Sequence, residues 1–550
     1  MIGAALEALR DEIFAALARR DERAAKKGIK RLHKYEPCEA AGLLTALHIE
    51  TGRAREALSA WRECARLRPD DPYTVFLRAR IFLVEGARCA ALDTLRPIMR
   101  AAMSPAIAEK VYNLAGQCAR FLGRAADAVV FYAQARDAAP TRELRALNAS
   151  NVLFNRHYLP ATLAEDRAAA EEYGALFADV KTFDHTAHRW EARLRIGYLS
   201  PDVREHVVLS FSYALMTGLD PVHFEVTVYA LNAPDGYTEK VRQSVAGVRS
   251  LAHLSAEAAA EMIYRDGIDI LVDLAGHTAG MTLPILAHRP APIQVSGIGY
   301  FASTGLSAVD YFLADPVLAA GSAEEGFTEE LLVLPATHFC WQPLHTAPAP
   351  VHAPAAGRPI VFGSFNNFAK ITDEMLALWG EILRRVPGAQ LLLKNVRPGG
   401  EILVRMGQRA VRAGIDPARL TLRPGSKDYL RDYLDVDIIL DTYPYQGGGT
   451  TCEALFMGLP VVTLAGTRHG ARFGASLLAN AGLGELVADT PEAYVERAAA
   501  LGSDTELLAA LHMAIPRMMR ASPLMSGGRY VRAVEAAYEM IWERYLNEEA

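Results

Sequence analysis

Three consecutive glycines, Gly447–Gly449, stand between a strand-like run that ends at Leu440 and a helix-like run that begins near Thr450. Glycine lets a backbone approach a phosphate closely, and the first N–H groups of a helix point outward without partners. Thr450 is a residue type that caps helices. The spacing fits neither a GxGxxG fingerprint nor a P-loop, so a plain capped turn remains the alternative. We predict that the turn 446–451 binds phosphate.

Two charged residues accompany this turn. Glu453 falls on the first turn of the predicted helix, where it would repel a phosphate but could accept hydrogen bonds from ribose hydroxyls further out. Lys370 follows the strand-like run 359–364 at its carboxyl side, where it could neutralise a departing diphosphate. For a single lysine, a solvated cation before a helix is the more ordinary interpretation.

Two histidines follow strand-like runs earlier in the chain. His206 comes shortly after Leu194–Ser200, and His277 comes shortly after the run 267–274. A histidine at the end of a strand could act as an acid or base, or hold a sugar hydroxyl, although a loop histidine more often does neither. We count His277 and the adjacent Thr278 as a candidate acceptor or sugar site.

Asp435 and Asp437 have the DxD spacing with which metal-dependent sugar transferases hold a cation. The pair precedes a strand, on the edge opposite the expected ligand cleft. We therefore favour a solvated turn and expect neither a metal nor a cofactor. The chain contains no GxSxG and no HExxH sequence, so hydrolase templates gain no support.

The elements that must position these residues occur in two series after Arg193. In each series, short apolar runs alternate with helix-like segments, which is typical of a parallel sheet covered on both faces. A segment rich in Ala, Pro and His, 345–358, separates the series and is interpreted as a linker. Two doubly wound lobes predict a ligand cleft outside the carboxyl ends of their strands.

The first 150 residues contain a helical repeat. A glycine precedes a helix-forming run at Gly52, Gly86 and Gly123, with spacings of 34 and 37 residues. Pro69 and Pro140 close the second helices of two units. A period near 34 residues is typical of tetratricopeptide repeats, whose helix pairs stack into a superhelix with a concave surface. An irregular helical bundle is the alternative.

We therefore predict a fold of the α + α/β class, with a helical-repeat superhelix before two Rossmann-like doubly wound lobes. The predicted parts are the repeats at 1–150, a helical connector at 151–192, a first lobe at 193–345, a second, nucleotide-binding lobe at 356–525, and a C-terminal helix at 526–550.

The composition argues against several classes of protein. The net charge of −6 gives no basic field for nucleic acid. No apolar run approaches the ~18–20 residues of a membrane span, and the N-terminus lacks the features of a secretory signal. Six cysteines without a CxxC pair favour neither a zinc site nor a disulfide framework. We expect a soluble, cytoplasmic protein that binds neither nucleic acid nor a membrane.

Several longer stretches resemble the protein O-GlcNAc transferase and SPINDLY family, glycosyltransferase family 41. The stretches are 195–202, 289–294, 299–305, 365–371 and 440–455. The resemblance covers nearly the whole chain. It implies a GT-B arrangement of the two lobes and an inverting, metal-independent transfer of a sugar from a nucleoside diphosphate to serine or threonine hydroxyls.

The resemblance also assigns roles to individual residues. His206 matches the active-site histidine of the family, and Lys370 matches the lysine that stabilises the leaving diphosphate. The implied donor-binding positions are Asn367, Lys370, Pro424, Gly425, Ser426, Tyr429, Arg431, Gly448, Gly449, Thr450 and Glu453. Tyr429 replaces a histidine that stacks on uracil in animal O-GlcNAc enzymes, and Glu453 replaces an acidic ribose ligand that is usually aspartate.

The predicted function is a protein O-glycosyltransferase whose repeat arm binds acceptor proteins and whose cleft binds UDP-GlcNAc. Two segments, 365–370 and 450–453, look closer to the SPINDLY branch, which includes enzymes that use GDP-fucose. GDP-fucose therefore remains an alternative donor. An enzyme for small-molecule acceptors and a non-catalytic repeat scaffold with a vestigial transferase also stay open. The sequence does not decide whether the chain forms an oligomer.

Overall fold

The computed structural model describes residues 2–188, 192–278, 282–321, 323–345, 357–396 and 399–549. The chain divides between Val152 and Leu153 into two compact units. The predicted linker at 345–358 lies largely outside the described residues.

The described residues of the first unit form consecutive helices. They are α1 (Ile2–Ala18), α2 (Glu22–Leu32), α3 (Pro37–Glu50), α4 (Ala54–Leu67), α5 (Pro72–Val84), α6 (Arg88–Leu95), α7 (Pro105–Phe121), α8 (Ala125–Ala138) and α9 (Arg142–Arg156), which continues into the second unit. Neighbouring helices pack as pairs, α1 with α2, α3 with α4, α5 with α6 and α7 with α8.

The repeat glycines lie in the turns inside three of these pairs. Gly52, Gly86 and Gly123 have φ angles of 71°, 80° and 71°, the left-handed region that favours glycine. Another glycine allows close packing: a Cβ on Gly116 of α7 would lie 2.9 Å from the ring of Tyr132 on α8. The prediction of N-terminal helical repeats is confirmed.

The second unit contains two parallel sheets. The first consists of β1 (Leu194–Ser200), β2 (Phe224–Ala230), β3 (Gly247–Ser250), β4 (Ile270–Asp273), β5 (Ile293–Ser296), β6 (Tyr311–Ala314) and β7 (Glu330–Val333). Their order is β3-β2-β1-β4-β5-β6-β7, so the direction of winding changes between β1 and β4. Ligands of open α/β sheets bind at such a switch point, beside the carboxyl ends of the strands.

The second sheet repeats this plan. It consists of β8 (Val361–Ser364), β9 (Gln390–Lys394), β10 (Leu420–Arg423), β11 (Ile438–Leu440), β12 (Val461–Leu464) and β13 (Val487–Ala488), in the order β10-β9-β8-β11-β12-β13. The switch point lies between β8 and β11. Lys370 follows β8, and the glycine-rich turn follows β11. The predicted pair of Rossmann-like lobes is confirmed.

Helices and a connector complete the second unit. The helices are α10 (Leu163–Gly174), α11 (Val207–Thr217), α12 (Gly236–Arg242), α13 (Ala256–Arg265), α14 (Leu283–Leu286), α15 (Asp373–Arg385), α16 (Gly400–Arg412), α17 (Gly449–Phe456), α18 (Phe473–Asn480), α19 (Pro491–Ser503), α20 (Thr505–Ala521) and α21 (Gly527–Glu549). The last helix packs against α11 of the first lobe, and the hydroxyl of its Tyr538 lies 3.3 Å from the hydroxyl of Tyr198 on β1.

The connector hydrogen-bonds to both lobes. Arg468, which follows β12, donates to Asp166 at 2.6 Å, to the carbonyl of Leu159 at 2.7 Å and to Nδ1 of His157 at 2.8 Å. On its other side, Nε2 of His157 lies 2.8 Å from the hydroxyl of Tyr300 in the first lobe. Burial and the neighbouring Arg468 lower the pKa of His157, so the ring is neutral and can accept from the arginine.

Candidate functional site

A cleft of about 560 Å³ opens where the carboxyl ends of both sheets meet. Most of the residues predicted for donor binding or catalysis line it: His206, Asn367, Lys370, Gly425, Ser426, Tyr429, Gly448, Gly449, Thr450 and Glu453. The other lining residues include Trp341, Leu344, Phe365, Asn366, Lys394, Tyr433 and Phe456. The structure thus brings residues from both lobes together around one volume.

The phosphate-turn prediction requires one correction. Helix α17 begins at Gly449 with Gly448 as its N-cap residue, and no side chain caps it. Thr450 is therefore not the cap, and its hydroxyl instead donates to Asn366 Oδ1 at 3.1 Å. A Cβ on Gly449 would lie 2.4 Å from Val207 of the opposite lobe, so the close approach of the lobes requires glycine there. The first N–H groups of α17 remain uncapped by side chains at the cleft wall.

Lys370 already points at the glycine-rich turn. Its Nζ donates to the carbonyl of Gln446 at 2.8 Å and lies 3.7 Å above the centre of the Tyr445 ring. Burial lowers the pKa of Lys370 to about 8, while the carboxylate of Asp441 raises it. The lysine is therefore mostly charged at neutral pH.

Glu453 lies on the second turn of α17, because the helix starts at Gly449; the prediction of a first-turn position is wrong. Its two carboxylate oxygens accept the hydroxyls of Tyr429, at 2.5 Å, and Tyr433, at 3.1 Å. Burial raises the pKa of Glu453 to about 7, and the two tyrosine hydrogen bonds oppose that rise. The ring of Tyr429 is thereby held in place at the cleft wall.

The segment 424–431 is only partly directed to the cleft. Lys394 Nζ donates to the carbonyl of Pro424 at 2.9 Å and to Ser426 Oγ at 3.0 Å, and it also pairs with Asp432 at 2.7 Å. These bonds fix the loop that holds Gly425 and Ser426 at the cleft. Pro424 contributes its backbone to that loop.

Arg431, by contrast, lies away from the cleft lining. Its side chain is 73% exposed and pairs with Asp428 at 2.8 Å. A salt bridge between exposed side chains contributes little to stability. The structure therefore does not bring Arg431 together with the other predicted donor-binding residues.

His206 lies on the first-lobe wall of the cleft. It is the N-cap residue of α11, with Nδ1 placed 3.3 Å from the N–H of Val208 and 3.4 Å from Asp202 Oδ2. Burial lowers the pKa of His206, and the carboxylate of Asp202 opposes this effect. The imidazole is 37% exposed, so a bound molecule can reach it.

His277 and Thr278 lie in a different environment from the described lining of the cleft. His277 is buried, with Nε2 at 3.0 Å from the carbonyl of Thr304, and burial lowers its pKa to about 3. The hydroxyl of Thr278 donates to the carbonyl of Ala275 at 2.6 Å. The residues that complete this predicted turn, Ala279 and Gly280, lie outside the described part of the chain.

The solvated turn that we predicted for the DxD pair holds for Asp435, whose side chain is 54% exposed, but not for Asp437. Asp437 is fully buried and accepts hydrogen bonds from Arg358 and from the N–H of Val361. Asp435 pairs with Arg423 at 2.6 Å. Arginine and backbone donors thus occupy both carboxylates. Among the described residues, no group of three or more His, Cys, Asp or Glu side chains is arranged to hold a metal ion.

Sequence reasoning missed several residues that shape the cleft. Asn366, Lys394 and Tyr433 line it, and the buried side chains of Asp441 and Gln446 hold the turn behind it. Asp441 had a recognisable signal, because a carboxylate immediately after a buried strand lies at the carboxyl edge of the sheet.

None of the described helices is long and apolar enough to cross a membrane.

Comparison with known proteins agrees with this geometry. The profile of Glycosyl transferase family 41 matches residues 170–347 and 353–534. A solved structure of Thermobaculum terrenum O-GlcNAc transferase, a lysine-to-methionine variant, is 29% identical with a TM-score of 0.76, covering 100% of this chain and 99% of that one.

Two plant proteins are similar over the catalytic part. A Petunia hybrida protein named "Probable UDP-N-acetylglucosamine--peptide N-acetylglucosaminyltransferase SPINDLY" is 38% identical over 368 residues, which are 65% of this chain and 39% of that protein. The Arabidopsis thaliana protein of the same designation but with the suffix SEC is 29% identical over 369 residues, 64% of this chain and 38% of that protein. The matches thus span well under half of the length of these relatives. From the matched profile and the two-lobed structure, the chain belongs to glycosyl transferase family 41.

Proposed function

We propose that this chain transfers a sugar from a nucleoside diphosphate sugar to serine or threonine hydroxyls of acceptor proteins. The observation that carries the proposal is the arrangement of the cleft, in which Lys370 and the start of α17 face His206 across one volume. Membership of the family and the similarity to SPINDLY-named relatives support it.

In this reaction the acceptor oxygen bonds to the anomeric carbon as the bond from that carbon to the β-phosphate oxygen breaks. Negative charge then grows on the departing diphosphate. Lys370 and the uncapped N–H groups of α17 are fixed beside it, and such preorganised positive groups stabilise a developing charge without reorganisation. We propose that these groups, rather than a metal, provide that stabilisation, since Asp435 and Asp437 are engaged by Arg423 and Arg358.

His206 has two arrangements available, and they predict different roles. When Nδ1 accepts from Val208 N–H, the proton is on Nε2 and the ring donates into the cleft. When Nδ1–H instead points at Asp202, the lone pair of Nε2 can take the proton of the acceptor hydroxyl. The variant Asp202→Asn separates these roles, because a large loss of kcat indicates the base and an unchanged kcat indicates the orienting donor.

We propose UDP-GlcNAc as the donor and GDP-fucose as the alternative. The aromatic ring of Tyr429 offers a flat surface to either base. A thermal-shift panel of UDP-, GDP- and CMP-sugars tests this proposal, since a ligand that binds the native state stabilises it by mass action. The largest rise in melting temperature should come with UDP-GlcNAc. A larger rise with GDP-fucose would make GDP-fucose the proposed donor instead.

The variant Lys370→Ala tests the reaction itself. We expect transfer to fall by about two to three orders of magnitude while the fold is retained, because the departing charge loses a cation that is fixed beside the start of α17. The matched control is Lys427→Ala, which removes an exposed lysine of the same lobe and should keep full activity. Normal turnover by Lys370→Ala, measured with radiolabelled donor, would contradict the proposal.

The repeat arm is proposed to bind the acceptor protein. Removal of the arm should lower transfer to protein acceptors far more than hydrolysis of the donor by water. If the truncated chain kept its full acceptor specificity, a small-molecule acceptor would be the better proposal. If the full chain bound nucleotides without any transfer or hydrolysis, it would be a scaffold.

A further inference from the structure

One peptide group connects Lys370 with a buried carboxylate. Lys370 Nζ donates to the carbonyl of Gln446 at 2.8 Å, and the N–H of the same peptide unit, that of Gly447, donates to Asp441 Oδ1 at 2.8 Å. In a trans peptide the C=O and N–H bonds point in opposite directions. The ammonium of Lys370 therefore binds the carbonyl end of this peptide dipole, and the carboxylate of Asp441 binds its N–H end.

We propose that Asp441 is a positioning residue for the transfer reaction: acting through the Gln446–Gly447 peptide, it fixes the ammonium of Lys370 beside the departing diphosphate and keeps that ammonium charged. This inference rests on the proposed function, because Asp441 has this role only if Lys370 stabilises the departing diphosphate. Asp441 itself is 1% exposed, so it acts on the substrate only through other residues.

The surroundings of Asp441 fit an ionised carboxylate. Besides Gly447, the N–H of Thr442 donates to Oδ1 at 2.9 Å, and the hydroxyl of Thr463 donates to Oδ2 at 2.8 Å. Burial raises the pKa of Asp441, while these hydrogen bonds and the charge of Lys370 lower it. A neutral acid would bring an O–H group to a place where fixed backbone N–H donors already point.

The peptide between the two charges is also held from the side. The side chain of Gln446 accepts from the N–H of Gly474 at 2.6 Å and donates to the carbonyl of Leu464 at 2.5 Å. Asn366 donates to Asp441 at 3.3 Å and accepts from Thr450 at 3.1 Å, which links the carboxylate to the start of α17. Because side chains and backbone anchor the turn, it cannot rotate its carbonyl away from Lys370 without breaking several of these bonds.

The charge of Asp441 matters because Lys370 is partly desolvated. Burial lowers the pKa of Lys370 to about 8, and Asp441 is the charged group that raises it. Tyr445 lies under the ammonium, and the other titratable groups of the cleft are Glu205, His206, His345, Lys394 and Glu453, with Tyr429 and Tyr433. These groups are unchanged in a substitution at position 441, so a difference between variants reports on Asp441.

The test measures UDP and GDP binding by calorimetry from roughly pH 6.5 to pH 9.5, a range that spans the titration of a perturbed lysine. Asp441→Asn removes the charge and retains the shape of the side chain. Thr463→Val is the matched control, because it removes one donor to the same carboxylate and leaves the charge in place.

For the wild type, the affinity of whichever nucleotide binds should fall above about pH 8, as Lys370 loses its proton. In Asp441→Asn that fall should begin about one pH unit lower, whereas in Thr463→Val it should stay where it is in the wild type. An unshifted fall in Asp441→Asn would overturn the inference. Absence of UDP and GDP binding to the wild type would instead overturn the proposed function.

A reciprocal measurement leaves Asp441 unchanged and needs no nucleotide. Lys370→Met removes the cation, so the pKa of Asp441 should rise further, and the variant should melt below the wild type. A raised folded-state pKa means that the folded state gains stability as the acid takes up its proton. The melting-temperature deficit of Lys370→Met should therefore narrow as the pH falls from about 7 to about 5, where lysine stays charged in both states. A deficit that does not change with pH would overturn the coupling even if Asp441→Asn does not fold.

Discussion

The two walls of the cleft differ in how firmly their functional side chains are held, although each belongs to a lobe with an all-parallel sheet. On the second-lobe wall, Lys370 and Glu453 each have well-placed partners, at 2.8 Å for the lysine and at 2.5 and 3.1 Å for the glutamate. On the first-lobe wall, the contacts of His206 with the residues that the structure describes are long, at 3.3 and 3.4 Å, and its side chain remains 37% exposed.

This difference matches two roles. A leaving diphosphate has the same charge in every turnover, so groups fixed in advance can stabilise it without reorganisation. In the proposed reaction, acceptor hydroxyls come from different polypeptides, and a histidine with weak contacts can adjust to each of them. The comparison therefore predicts that substitutions on the second-lobe wall change donor binding, whereas substitutions on the first-lobe wall change transfer alone.

The largest effect that separates the walls is expected from His206→Ala. Transfer should fall by about two to four orders of magnitude, since general acid–base or orienting contacts contribute on that scale. Calorimetric affinity for the nucleoside diphosphate should match the wild type. A parallel loss of nucleotide affinity would show that His206 belongs to the donor site, and the contrast between the walls would fail.

A smaller effect is expected from Glu453→Gln. Affinity for the nucleoside diphosphate should fall about tenfold, which corresponds to the loss of a charge-assisted hydrogen bond. Glu485→Gln, at an exposed position of the same lobe, is the matched control and should bind normally. Calorimetry at about pH 8, above the raised pKa of Glu453, makes the comparison. Unchanged affinity would mean that the ligand leaves the tyrosine–glutamate contacts untouched.

The same variant should show a pH-dependent change in stability. Burial raises the folded-state pKa of Glu453 to about 7, above the unfolded value near 4.3, so stability due to the protonated acid is lost as pH rises between these values. Glu453→Gln stays neutral and should melt roughly 3–5 °C above the wild type at pH 8, with no difference near pH 4. A constant difference across scanning calorimetry runs would contradict a raised pKa.

The smallest effect is expected from Arg431→Ala. The side chain is exposed and pairs only with exposed Asp428 among the partners that the structure describes, so nucleotide affinity and melting temperature should both stay near wild-type values. The resemblance to the family implies a donor contact for this arginine. A clear loss of affinity on titration with UDP or GDP would restore that role. The donor-binding wall of the second lobe would then extend beyond Ser426.

Regular patterns in the sequence predict much of the fold. The runs Leu194–Ser200 and Phe224–Ala230 coincide with β1 and β2, because buried parallel strands are continuously apolar. Gly52, Gly86 and Gly123 mark tight turns, since their backbone conformation favours glycine. Such features depend on a few adjacent residues, which a single sequence displays.

The site was harder to predict because its contacts join distant residues. Glu453 meets Tyr429 across 24 positions, and Asp437 meets Arg358 across 79, and nothing in local spacing indicates either pair. The sequence predicts the start of α17 one residue too late, because Thr450 carries a side-chain oxygen that could cap a helix and Gly448 has none. The approach of Val207 from the other lobe, which requires glycine at the helix start, is visible only after folding.

The hydrogen bonds of Arg468 determine where the chain can be truncated at its N-terminal side. His157 and Leu159 accept from that arginine, and both come after α9, beyond the end of the first unit at Val152. A catalytic fragment that starts at Leu153 keeps both groups, whereas one that starts at Thr162 leaves a buried guanidinium without two of its acceptors. Expression trials for an isolated transferase core should therefore retain the short stretch before α10, which sequence alignment to the catalytic family alone would discard.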